Sequence, residues 1–153
     1  YFCALLTHLE LIAHAPDGFQ LPLIGNALEL FPQALDVDAM RRAAALLCGE
    51  HDFMAFCSNK RMKKSAVRRI DTIDITRIGD EIRFTVSGNG FLYNMVRIMV
   101  GTMLQYGQGR NMDGIARALE TGRRDFAGPT APAHGLTLAR VEYENFDTKE
   151  HIR

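Results

Sequence analysis

From Phe84 to Gly109 the chain carries a single charged side chain, Arg97. Around it Leu92, Met95, Val96, Met99, Val100, Met103 and Leu104 recur at helical spacing, and Gly107 and Gly109 stop the run. The spacing predicts an amphipathic helix meant for burial, so other elements must be layered around it. The apolar stripe centres near Val96 and Met103, and Arg97 lies about 100° from that centre, on its shoulder. A guanidinium keeps its proton, so burial would demand hydrogen-bond acceptors, usually a carboxylate. Two readings follow. Arg97 snorkels to water at the edge of the stripe, or it orients a functional carboxylate.

The layer that this helix needs is legible just before it. Ile73 and Ile75 alternate with Asp74 and Thr76, and beyond Gly79-Asp80, Ile82, Phe84 and Val86 alternate with Arg83, Thr85 and Ser87. Period two on both sides of a turn predicts an antiparallel hairpin with one buried face. An earlier helix is capped by Asp36, carries Met40, Ala43, Ala44 and Leu47 on one side, and ends at Gly49. A later one carries Met112, Ile115, Ala116 and Leu119, between Asn111 and Gly122. Gly128 to Gly135 reads as a stiff loop, and Leu136 to Tyr143 as a final strand. Tyr1 to Leu6 reads as a strand, His8 to His14 is ambiguous, Ala15 to Gly18 is a turn, and Phe19 to Leu35 reads as loop. The expected fold is α+β: an antiparallel or mixed sheet with helices packed on one face.

Composition narrows the class. The 153 residues are 47% hydrophobic and 24% charged, with zero formal net charge. That is a globular profile with no global pull on nucleic acid. The three cysteines are widely spaced and fit neither a disulfide framework nor a zinc ribbon. The histidines show no metal-ligand spacing, so no metal is expected. The run from Phe91 to Leu104 is too short to span a bilayer and is interrupted by Arg97. The chain opens on the strand-like Tyr1-Phe-Cys-Ala-Leu-Leu6 without an initiating methionine, so a piece of a longer polypeptide is expected.

One charge cluster is one-sided. Lys60, Arg61, Lys63, Lys64, Arg68 and Arg69 fall in a stretch with no acid between Asp52 and Asp71. Such a cluster can neutralise several phosphates, or it can be a solvated loop. The prolines of the Gly128–Leu136 segment can hold one apolar side chain at a set place beside a cleft, or simply make a rigid connection. Asp17, in a Pro-Asp-Gly turn, is explained by backbone geometry, and Cys57 and His51 have no third group to orient them as a nucleophile and base.

Three motifs carry a resemblance. Gly88-Asn-Gly-Phe-Leu-Tyr-Asn-Met-Val-Arg-Ile-Met-Val-Gly101 resembles the Met-Val-Arg helix of the tRNA pseudouridine synthase A family. Gly49-Glu-His-Asp-Phe53 with Phe56 resembles that family's segment after an earlier helix. Thr130-Ala-Pro-Ala-His-Gly-Leu136 resembles its Thr-Ala-Pro-Ala-x-Gly-Leu loop. The motifs occur in family order and cover roughly residues 35–143.

The resemblance implies a cofactor-free isomerisation of uridine to pseudouridine in the anticodon arm of tRNA. An aspartate attacks the target nucleotide, the N-glycosidic bond breaks, and the uracil turns and rejoins through C5. The target must leave its stack to be reached. Arg97 matches an arginine that salt-bridges the aspartate, Leu136 a leucine lining the pocket, and Tyr1 a tyrosine that packs on the uracil. Lys60 to Arg69 would contact RNA. The family's Arg-Thr-Asp-x-Gly run is absent here, and its Asp-Arg pair after the third helix is Arg123-Arg124.

The resemblance therefore makes this chain the C-terminal, ferredoxin-like half of a catalytic domain, without the nucleophilic aspartate and inactive alone. Residues 1–34 would be a divergent strand and loop segment, 35–146 the synthase subdomain and 147–153 a tail. Expected partners are tRNA, the N-terminal half of the same polypeptide and a second copy in a homodimer. The expected location is cytoplasmic, with no membrane. The alternative is a non-catalytic RNA-binding or dimerisation module derived from that family.

Overall fold

The computed structural model describes residues 6–14, 35–59, 61–78, 81–143 and 146–147. In chain order these form β1 (Leu6–His14), α1 (Val37–Leu47), β2 (Gly49–Asp52), β3 (Val67–Ile78), β4 (Glu81–Gly88), α2 (Met95–Gly107), α3 (Gly114–Thr121), β5 (Leu136–Tyr143) and β6 (Phe146–Asp147). Single 3-10 turns fall at Met54–Phe56, Arg124–Phe126 and Ala133–Gly135. The strands make one sheet in the order β2-β3-β4-β1-β5-β6, and every described pairing is antiparallel. The fold is α+β.

The hairpin forms as its alternation predicts. Ile75 faces Phe84 and Ile73 faces Val86 across β3 and β4. Ile82, Phe84 and Val86 are fully buried, while Arg83 and Thr85 between them are half-buried on the other face. The buried face joins one core with Met40, Leu47, Phe53, Phe56, Met99, Met103 and Ile115. Helices α1, α2 and α3 all contribute to that core.

Helix α1 starts where its cap predicts. Asp36 Oδ1 accepts from the Ala39 N–H at 2.9 Å, which satisfies one of the helix's orphan donors. Ala39, Met40, Ala43, Ala44 and Leu47 form its buried stripe. At the far end α1 meets α2 closely. A Cβ on Gly107 would lie 2.9 Å from Met40 Cγ, and Asp36 N–H donates to the Gly107 carbonyl at 2.9 Å.

Two expectations are corrected. First, α2 begins at Met95 rather than near Leu92. Asn94 takes a left-handed conformation, φ 61°, which breaks the helical path. Second, Met112 is 52% exposed in the turn before α3, and the helix buries Gly114, Ile115 and Ala118 instead. Of the strand expected over Tyr1 to Leu6, Tyr1 to Leu5 lie outside the described residues. The ambiguous stretch His8 to His14 belongs to strand Leu6–His14, which pairs with both β4 and β5 inside the sheet. Phe146–Asp147 pairs with β5.

Helix α2 is buried on nearly every side. Besides the expected stripe, Ile98, Gly101, Thr102 and Tyr106 are buried. The covering that sequence spacing did not reveal is the loop before β5. A Cβ on Gly101 would overlap the Pro129 carbonyl oxygen, so only glycine lets the loop lie on the helix there. One helical residue further on, Thr102 Oγ1 accepts from the Gly128 N–H at 2.8 Å and donates to the Ile98 carbonyl at 2.7 Å.

Candidate active-site surface

Arg97 sits in the first turn of α2, half-buried. Its Nε donates to the Ala131 carbonyl at 2.6 Å and its Nη1 to Asn94 Oδ1 at 2.8 Å. In return the Ala131 N–H donates to the Arg97 carbonyl at 3.0 Å. Among the described residues no carboxylate pairs with Arg97, and none accepts from its Nη2. Nε and Nη1 of the guanidinium are therefore held by neutral groups, and Nη2 has no acceptor among the described residues. A planar fork fixed in this way suits an anion better than a mobile ammonium would.

The loop that holds Arg97 leads to Leu136. From Ala131 the chain passes through Pro132 and the 3-10 turn Ala133–Gly135, and Leu136 opens β5 half-buried against the core. Arg124 braces the same loop. Its Nη1 donates to the Ala127 carbonyl at 3.1 Å and its Nη2 to Thr130 Oγ1 at 3.4 Å. Burial lowers the Arg124 pKa from its ordinary value, with Asp125 acting the other way. Arg123 pairs with Asp125 at 3.0 Å and stands 5.4 Å from the centre of the Phe126 ring, over which Arg117 also lies at 4.0 Å.

The basic stretch divides between loop and strand. Lys60 lies outside the described residues, as does Tyr1. Arg61, Lys63 and Lys64 are exposed in the connection between β2 and β3. Arg68 and Arg69 belong to β3, opposite His51 and Glu50 of β2. Arg68 Nη1 is turned onto backbone, donating to the Ser65 carbonyl at 2.9 Å and the Val67 carbonyl at 2.6 Å. Arg69 is ion-paired with Asp71 at 2.8 Å. The freest cations of the cluster are thus those of the loop.

Asn94, Ala131 and Thr102 were not singled out by sequence reasoning, and Arg124 was noted only as part of the Arg123-Arg124 pair. Asn94 had a usable signal, since asparagine is a common non-glycine occupant of the left-handed region. Ala131 had none, because it acts through its backbone. Among the described residues no group of three His, Cys, Asp or Glu side chains is arranged to hold a metal, and no helix is long and apolar enough to cross a membrane.

A family model described as tRNA pseudouridine synthase matches residues 43–144, a span that contains α2, the bracing loop and β5. The chain belongs to the tRNA pseudouridine synthase family. Relatives of the A type are among those it resembles. It is 47% identical over 121 residues to tRNA pseudouridine synthase A 1 of Bacillus cereus (strain ATCC 10987 / NRS 248), covering 78% of this chain and 49% of that protein. It is 50% identical over 116 residues to tRNA pseudouridine synthase A of Geobacillus sp. (strain WCH70), covering 75% and 47%. With tRNA pseudouridine synthase A of Brevibacillus brevis (strain 47 / JCM 6285 / NBRC 100599) the identity is 52% over 110 residues, covering 71% and 45%. The chain spans about half the length of the curated relatives it matches.

Proposed function

We propose that this chain is the C-terminal part of a cofactor-free tRNA pseudouridine synthase that acts on uridines of the anticodon arm. In this reading Arg97 orients an aspartate nucleophile supplied by a segment other than this chain. The observation that carries the reading is the half-satisfied guanidinium. Nε and Nη1 are spent on Ala131 and Asn94 while Nη2 has no acceptor among the described residues.

A carboxylate meeting Nη2 gains charge-assisted hydrogen bonding and is kept ionised, as attack on the nucleotide requires. The reaction needs no redox partner. The bond from uracil N1 to the sugar breaks, a bond from C5 forms, and the proton leaving C5 is balanced by one gained at N1. Leu136 would line the pocket for the turning uracil, and Arg61, Lys63 and Lys64 would neutralise tRNA phosphates. The working protein would be a cytoplasmic homodimer.

The test uses the complete protein with its N-terminal segment. Arg97→Ala should nearly abolish pseudouridine formation in tRNA while the melting temperature changes little. Full activity in that variant overturns the orienting role. The chain without its N-terminal segment should bind tRNA but make no pseudouridine, and turnover by it alone would show that the nucleophile is not missing.

A further inference from the structure

Tyr93 is the most exposed large hydrophobic side chain among the described residues, at 69%. A lone surface aromatic is ordinary, but this one is mounted on a braced turn. Its carbonyl accepts from the Ser58 N–H at 3.1 Å. The next residue, Asn94, donates through Nδ2 to Ser58 Oγ at 3.1 Å and accepts from Arg97 Nη1 at 2.8 Å. At the other end of the same segment, Asn89 N–H donates to the Arg69 carbonyl at 3.0 Å and Asn89 Oδ1 accepts from the Arg69 N–H at 2.9 Å.

Residues 89–94 are therefore tied at both ends to residues 58–69. The strap so formed carries an exposed aromatic ring four residues before Arg97, and its tie to Ser58 joins it to the segment that goes on to carry Arg61, Lys63 and Lys64. The cation–ring contacts of the described residues fall on Phe126, so no described guanidinium or ammonium covers the Tyr93 ring.

We propose that Tyr93 is a nucleobase-stacking residue, taking the face of an unstacked RNA base next to the target nucleotide while the loop cations hold the adjoining phosphates. The proposal rests on the RNA reading above. Unpaired strands are held by this combination of positive charge along the backbone and aromatic faces under the bases. A tyrosine ring has two side-chain torsions to order, so little conformational entropy opposes its stacking. A base beside the target is the natural occupant, because extruding one nucleotide strips its neighbour of a stacking partner.

The test is RNA affinity measured across a salt series, using the complete protein and an anticodon stem-loop RNA. Tyr93→Ala should weaken binding roughly 10-fold or more while keeping the wild-type dependence on salt. Tyr93→Phe, which keeps the ring, should bind as wild type does. A Lys63→Ala, Lys64→Ala double variant should instead flatten the salt dependence, by about 0.7 in logarithmic slope for each phosphate no longer neutralised. Wild-type affinity in a folded Tyr93→Ala protein overturns the stacking role and leaves the RNA reading standing. Weakened binding with a flattened slope also overturns it, since the loop has then moved. Failure of the unaltered protein to bind overturns both.

Discussion

Arg97 and Ala131 hold each other twice. The arginine side chain donates through Nε to the Ala131 carbonyl at 2.6 Å, and the Ala131 N–H donates to the Arg97 carbonyl at 3.0 Å. Helix and loop are thus locked at Arg97. Lysine has neither a rigid fork nor a second donor at the right angle, so Arg97→Lys keeps the charge and loses the orientation. In the complete protein it should lose most of its pseudouridine-forming activity, with a melting temperature close to wild type because the site is half-exposed. Activity within a few-fold of wild type would show that charge alone suffices.

The lock depends on a close approach one helical turn further along. A Cβ on Gly101 would overlap the Pro129 carbonyl oxygen, which is backbone and cannot swing aside. Gly101→Ala should push the loop off α2. The expected destabilisation is about 1–3 kcal/mol, the usual range for overpacking, read from chemical denaturation. Activity should fall further than stability alone accounts for, because Ala131 moves with the loop.

Thr102 tests the same approach from its polar side. Its hydroxyl is fully buried, donates to Ile98 and accepts from the Gly128 N–H. Thr102→Val keeps the shape but leaves that N–H buried without an acceptor, at a cost of about 1–3 kcal/mol. Thr102→Ser should retain most of the stability, since the oxygen remains. Equal stability of the valine and serine variants would mean that Gly128 finds another acceptor.

The sequence was most readable where one residue type implies one geometry. Ile82, Phe84 and Val86 fixed the buried face of β4, Asp36 the start of α1, and Leu136 to Tyr143 the last long strand. It was least readable where a distant segment decides. Leu92 continues the helical spacing, yet the chain there is held by the Ser58 hydrogen bond and turned at Asn94, so the helix starts later. Met112 also keeps the helical spacing but lies in a turn outside the core. The acceptor for Arg97 Nε was unreadable for a sharper reason. It is a backbone carbonyl 34 residues away, and any residue type has one.

Two acids sheltered from water give the fold an alkaline limit. Burial raises the Tyr106 phenol above its ordinary 10.0, with a smaller upward push from Asp113 and an opposing pull from the Ile115 N–H that it accepts. Burial likewise raises the Cys48 thiol above 9.0, helped by Asp74 and Asp71 and opposed by a backbone bond from Ile73. Both folded values lie above the unfolded ones, so the contribution is complete below the unfolded pKa. It declines as pH rises from there through the folded value, because the unfolded chain sheds its protons first. The denaturation midpoint should therefore start to fall above about pH 9, the ordinary range for a thiol. Cys48→Ala removes the earlier titrating group, so its decline should begin nearer pH 10, where Tyr106 takes over. The measurement is a series of urea melts on both proteins across the alkaline range, under reducing conditions. Superimposable pH profiles would mean that Cys48 ionises alike in the folded and unfolded chain.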